Sequence, residues 1–212
     1  MPREFGVPED VIEAVLTGKS TLSAYSPFLS PIHGKHVIGV NAAFLLGSWV
    51  DIAFFGDGNF YFKNKNKLEQ FPKLKVSCNL NLRDKKKVYG VKFLGRDGNH
   101  PMGLSSRPGY VSWNLNSGGA AISMAAQMGV TKMYLLGFDM RLSPEGFQHW
   151  HSQYRKGVTP HTNPAKLPFG RHLRCFPMIA NEAKRQGIEI INVSPDSAIK
   201  SFPKVSLKEV LG

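Results

Sequence analysis

Cysteine is nearly absent: Cys78 and Cys175 are the two in 212 residues. So few, and so far apart, they exclude a disulfide framework and lack the paired spacing of a zinc site. A reducing cytoplasm is the expected setting. No stretch approaches about 18 consecutive apolar residues, so no transmembrane helix and no membrane partner are expected. Glu4, Glu9, Asp10 and Glu13 stand where a signal peptide needs a basic start and an apolar core. Acid is also scarce, with 15 Asp and Glu against 27 Lys and Arg, a formal charge of +12.

The positive charge is unevenly spread. Eleven Lys or Arg fall between Lys63 and Arg96, and Phe147 to Arg174 holds five more with four histidines and no acid. Clustering of one sign favours a polyanionic partner, nucleic acid through the 63–96 region or acidic small molecules, over a mixed solvated face. Lysine clusters on loops also occur as plain soluble surface.

With 42% apolar residues the chain can bury one good core. Its order of signals predicts an α/β fold: a single Rossmann-like domain over 1–212, with a mainly parallel sheet flanked by helices. Expected strands are Glu13 to Leu16, His36 to Asn41, Asp51 to Asp57, Lys75 to Asn79, Lys132 to Leu136 and Glu189 to Asn192. Between them lie helices over about Thr21 to Leu29, Ala42 to Trp49, Ser117 to Met128, Phe169 to Gln186 and Ser206 to Leu211. Strand, polar loop and helix in repetition signal parallel strands joined by crossovers. Residues 83–113 read as a charged, glycine-rich excursion in which KVYGVKFL makes one strand. Residues 143–168, rich in His, Pro and Gly, read as a long lid-like loop, and loops of that length are functional or disordered.

Polar residues recur where each apolar run ends: Lys19 and Ser20, Asn41, Asp57, Asn116 and Ser117, Asp139, Asn192 and Ser194. In a parallel sheet such positions line one edge, where open α/β proteins keep their ligand chemistry. Asn116-Ser117-Gly118-Gly119 would open a buried helix, leaving backbone N–H groups that favour a phosphate. The plain alternative is that these residues cap helices and make turns. Gly18-Lys19-Ser20-Thr21 has the ending of a phosphate-binding P-loop, but Glu13 occupies the position of the first glycine, which excludes that motif.

The succession TGKSTL, VIGVNAAF, DIAFFGDGNFY and NSGGAAISMAAQMG followed by KMYLLGFDM resembles a Rossmann-like family frequent in bacteriophage genomes. That family includes the archaeal enzyme that pyrophosphorylates 6-hydroxymethyl pterin, and its layout is similar to that of bacterial sialyltransferases. The resemblance runs from about Ala14 to Pro203, and the ending HWH…NP…INVSPDSAIKSFP resembles the phage branch. It implies group transfer from a nucleotide donor in the cytoplasm of a phage-infected cell. By analogy with the sialyltransferases, Gly18 and Ser20 would lie near the donor phosphate and Asn41 near phosphate or base. Ser117 and Gly118 would hold the nucleotide through their amides, and Asp139 would orient the ribose or the cleft loops. One departure is that the first loop here keeps a single glycine and gains Lys19, a positive charge for a phosphate.

His149 and His151, with His161 and His172 downstream, form the densest catalytic candidate. A histidine on a loop can take the proton from an acceptor hydroxyl as it attacks the donor carbon, and the sialyltransferases use one this way. The alternatives are a metal site of His149, His151, His161 and Asp139, or histidines without a role. Asp57 with Asp139 would instead suit Mg²⁺ against a diphosphate. The aromatic residues Trp49, Phe60, Tyr61, Phe62, Tyr110, Trp113 and Trp150 are candidates for stacking on a base, Trp49 being the one better suited to the core.

The reading that follows is a nucleotide-dependent, glycosyltransferase-like enzyme with a nucleotide-sugar donor, acting on phage DNA and able to form oligomers. The alternatives are ATP-dependent pyrophosphoryl or phosphoryl transfer to a small heterocycle, or a non-catalytic nucleotide- or nucleic-acid-binding phage protein.

Overall fold

The computed structural model describes residues 7–20, 32, 35–47, 49–85, 88–144, 146 and 167–211. It is an α/β structure of helices and parallel strands, divided into two compact units, Met1–Phe93 and Leu94–Gly212.

The first unit opens with a helix, α1 (Glu9–Leu16), where Glu13 to Leu16 was expected to be a strand. Pro8 precedes it, and Glu9 and Asp10 sit in its first turn, where the backbone dipole favours acid. Ile12, Val11 and Val15 recur at helical spacing and pack with Val7 and Trp49. Four apolar-leaning residues alone could not separate the two periods; the acidic turn before them decides.

Strands β1 (Ile38–Val40), β2 (Ile52–Phe55), β3 (Leu74–Ser77) and β4 (Val91–Phe93) form a parallel sheet in that order. Val40 pairs with Phe54, Phe54 with Val76, and Val76 with Lys92. β2 is buried along its whole length, the mark of a strand covered on both faces. A short 3-10 helix, η1 (Asn41–Leu46), follows β1, and α2 (Gly58–Gln70) joins β2 to β3. The lysines of α2 mask its helical pattern: Phe60, Tyr61, Asn64 and Leu68 are buried while Lys63 and Lys67 are exposed. Phe60 and Tyr61 are therefore core residues and not a platform for a base. Their rings lie 5.8 and 5.9 Å from that of Phe55. A single turn, α3 (Leu80–Arg83), follows β3.

KVYGVKFL makes one strand, β4, as expected. In the second unit, β5 (Gly95–Arg96) pairs in parallel with β6 (Tyr110–Val111) as a separate sheet. α4 (Ser117–Gln127) leads to β7 (Lys132–Leu135). The stretch Phe169 to Gln186 makes two helices, α5 (Phe169–Leu173) and α6 (Phe176–Arg185), instead of one. Pro177 explains the break: it has no N–H to give to Leu173, and its ring would clash with that carbonyl. β8 (Glu189–Asn192) pairs in parallel with β7, Leu135 opposite Asn192, and α7 (Leu207–Leu211) follows. The small residues Ala120, Ala121 and Ala125 are buried on α4, which packs on α6.

Asn114 ties this unit together. Its Nδ2 donates to the carbonyls of Gly103, Ser112 and Gly119, and its Oδ1 accepts from the Gly103 amide at 2.7 Å. Asn114 and Leu115 both adopt left-handed backbone, at φ 56° and 59°, a conformation that costs roughly 1–2 kcal/mol for a residue with a β-carbon. The buried carboxamide offsets that cost and reverses the chain into α4. Asn114→Asp keeps the shape but replaces the donor with a buried charge facing carbonyls. We expect a loss of about 3 kcal/mol or more in urea unfolding.

Buried Asp97 holds the loop before Asn114. Its Oδ2 accepts from the Ser105 hydroxyl at 2.6 Å, and its Oδ1 accepts from the amides of Asn99 and His100. Ser105 chiefly holds this carboxyl below the ordinary aspartate range; burial opposes it, and the two amides and Arg107 reinforce it. A depressed pKa means stability that is present at neutral pH and lost as pH falls below roughly 4. Ser105→Ala will shrink that acid-limb loss, read from unfolding curves between neutral and acid pH.

Candidate functional site

Each unit gathers some of the expected site residues at the C-terminal ends of its parallel strands. In the first, Asn41 follows β1 and Asp57 follows β2, neighbouring strands of one sheet. Asn41 has left-handed backbone, φ 52°, and its Oδ1 is buried without a hydrogen-bond partner. Asp57 is exposed and caps α2, its Oδ1 accepting from the Asn59 amide at 2.9 Å.

Gly18, Lys19 and Ser20 are placed differently from the phosphate loop expected of them. They follow the end of α1, so their amides face the wrong way for the start of a helix. Gly18 donates to the carbonyl of Val15 and Ser20 to that of Ala14, closing the helix, with Gly18 at φ 76°. What remains for an anion is the side chain of Lys19, which is exposed.

The second unit holds the more developed arrangement. Asn116 is the N-cap of α4, its Oδ1 accepting from the Gly119 amide at 2.7 Å while its Nδ2 donates to the Asn114 carbonyl at 2.8 Å. The amides of Ser117 and Gly118 are left without a partner among the described residues. They lie at the positive end of an eleven-residue helix, the arrangement that favours a phosphate. A β-carbon on Gly118 would strike the ring of Phe138, 2.7 Å from its edge. The loop after β7 thus lies against this turn, and exposed Asp139 is its next residue.

That loop is fixed from below. The Ser197 hydroxyl donates to the Phe138 carbonyl at 2.6 Å, and the Ala198 amide to the Asp139 carbonyl at 2.8 Å. The Phe138 ring meets Phe176 edge-on, and Phe176 meets Phe202. Asn192, fully buried at the end of β8, accepts from the Ser194 amide and leaves its Nδ2 unpartnered. Sequence reasoning located Asn116, Ser117, Gly118, Asp139 and Asn192 here but passed over Phe138, Asn114 and Ser197, which position them. The signal available was the doubled asparagine in WNLNSGG.

Cys175 lies beneath the turn, with Asn116 Nδ2 3.5 Å from its Sγ. Burial pushes its thiol up to about 11, so it stays protonated and is no nucleophile. His172 is pushed down by burial and by the charge of Arg171, which disfavours its cationic form. His149, His151, His161 and Trp150 lie outside the described residues. Among the described residues no group of three or more His, Cys, Asp or Glu is placed to hold a metal. Tyr110 and Trp113 are covered by arginines, with Arg107 and Arg96 at 3.6 and 3.7 Å from their ring centres.

Asn116→Ala removes the cap while leaving the open amides, and should cost about 1 kcal/mol in thermal unfolding. Protein-family models, characterised proteins and solved structures contain no match to this chain.

Proposed function

We propose that this chain is a nucleotide-dependent group transferase of glycosyltransferase type, built on a Rossmann-like frame. The observation that carries the reading is the turn at Asn116–Gly119: two open amides at the start of a buried helix, beside Asp139 and at the ends of parallel strands. A donor diphosphate would sit on the Ser117 and Gly118 amides, and Asp139 would accept from a ribose hydroxyl. The helix dipole there would stabilise charge developing on the leaving nucleotide.

His149 or His151 is assigned the proton transfer from the acceptor hydroxyl. Mg²⁺ is a further candidate on the donor diphosphate. The acceptor assigned is phage DNA, met through exposed lysines such as Lys63, Lys67 and Lys92.

A panel of CMP-, UDP- and GDP-sugars tests this by thermal shift and by release of nucleotide. At about a hundred times its Kd, a true donor adds about 2.7 kcal/mol of stability and raises Tm by a few degrees. Gly118→Ala, which drives a methyl group into Phe138, should abolish that shift. Replacing His149 and His151 together by alanine should keep the shift and lower turnover by about 100-fold or more. A panel without any shift or turnover rejects the proposal.

A further inference from the structure

A second polar hollow in the Leu94–Gly212 unit lies away from the Asn116 turn. Two adjoining hollows, each about 470 Å³, meet at Ser106 and Gln186. One is bounded by the loop 97–106 and the end of α6, the other by the end of α4 at Gln127. Both helices end just before the strands they feed, so this groove lies at the N-terminal ends of β7 and β8. Asn116 and Asp139 lie at the opposite ends.

Two carboxylates lie in the walls, and both are fully engaged from inside the protein. Asp97 accepts from the Asn99 and His100 amides and the Ser105 hydroxyl. Glu182, 7% exposed, accepts from the Leu104 amide, from His100 Nε2 at 2.9 Å and from Arg185 at 3.4 Å. A side chain on Gly103, at φ 95°, would land on the Glu182 carboxylate, so the loop is fitted closely to that acid.

What these acids leave facing the groove is a set of donors. Glu182 takes Nε2 of His100, which leaves Nδ1 as the ring's second nitrogen, a donor when the ring carries a proton there. The His100 side chain is 41% exposed and that of Arg185 is 75% exposed. Asn99, Ser106 and Gln186 add neutral donors around them.

We propose that this groove binds a small anion, a carboxylate or a phosphate ester, between the imidazole ring of His100 and the guanidinium of Arg185. Glu182 positions both side chains, and Asp97 shapes the loop that presents His100. A planar guanidinium beside a ring N–H suits two oxygens of one anionic group. The hydroxyl and amide donors along the groove suit the polar body of such a molecule. The site is independent of the transferase reading, because no residue is shared with the Asn116 turn.

The test is an NMR titration of the whole isotope-labelled protein, following the His100 ring signals, identified by their loss in His100→Gln. Inorganic phosphate and malonate are added in separate arms at slightly acid pH. The expected result is a saturable shift of His100 with at least one probe, the responding arm giving the class of anion. Arg185→Gln should weaken that binding about tenfold, and the exposed control Lys208→Gln should leave it unchanged. A shift that stays linear in both arms, or equal affinity in Arg185→Gln, overturns the proposal. Arg185 is exposed, so its variant folds, and a sugar-nucleotide thermal shift that persists in it separates this result from the fate of the transferase reading.

Discussion

One buried carboxamide governs the second unit. Asn114 joins three pieces of chain that share no secondary structure: the Gly103 bend, the end of β6 through Ser112, and the first turn of α4 through Gly119. The side chain supplies partners to backbone groups of all three, and a buried backbone group left without one costs about 1–3 kcal/mol. Two consecutive left-handed residues are tolerated there because the side chain of the first satisfies four such bonds. The geometry of the Ser117 and Gly118 amides is a consequence. They point outward because Asn114 and Asn116 together fix where the helix begins.

From that fixed start the remaining positions follow by packing. Close approach of α4 to its surroundings needs small residues, and Gly118 and Gly119 supply them, one against Phe138 and the other against Asn114 and Cys175. Phe138 in turn rests on Phe176, which anchors α6. Helix start, strand end and the turn at Ser197 are therefore locked by contacts that reach across the unit. A ligand meeting these amides would find them already oriented, which lowers the ordering cost of binding.

The strands were legible because each is a short apolar run ending at a polar residue, and β1, β2, β3, β7 and β8 all fall where the pattern puts them. The failures have separate physical causes. α1 was misread because its deciding feature, the acidic first turn after Pro8, lies outside the apolar run itself. α2 was hidden because its lysines and asparagines carry no apolar period strong enough to notice, although Phe60, Tyr61 and Leu68 hold its buried face. Asn116 was legible as a cap from its place before Ser-Gly-Gly, whereas the role of Asn114 depends on partners eleven residues upstream and five downstream. No local rule reveals those.

The scarcity of acid acquires a structural meaning here. Of the 15 acids in the chain, Asp97 and Glu182 are buried and matched to internal donors, and Asp51 accepts from Lys73 and from the Val37 amide. Lys63, Lys67 and Lys92, by contrast, are exposed. Screening by salt limits the reach of each exposed charge to about a Debye length, about 8 Å at physiological salt. The same arrangement that shapes the loop at residues 97–105 leaves the exposed charge predominantly cationic. Structure and surface charge are linked through where the few acids are placed.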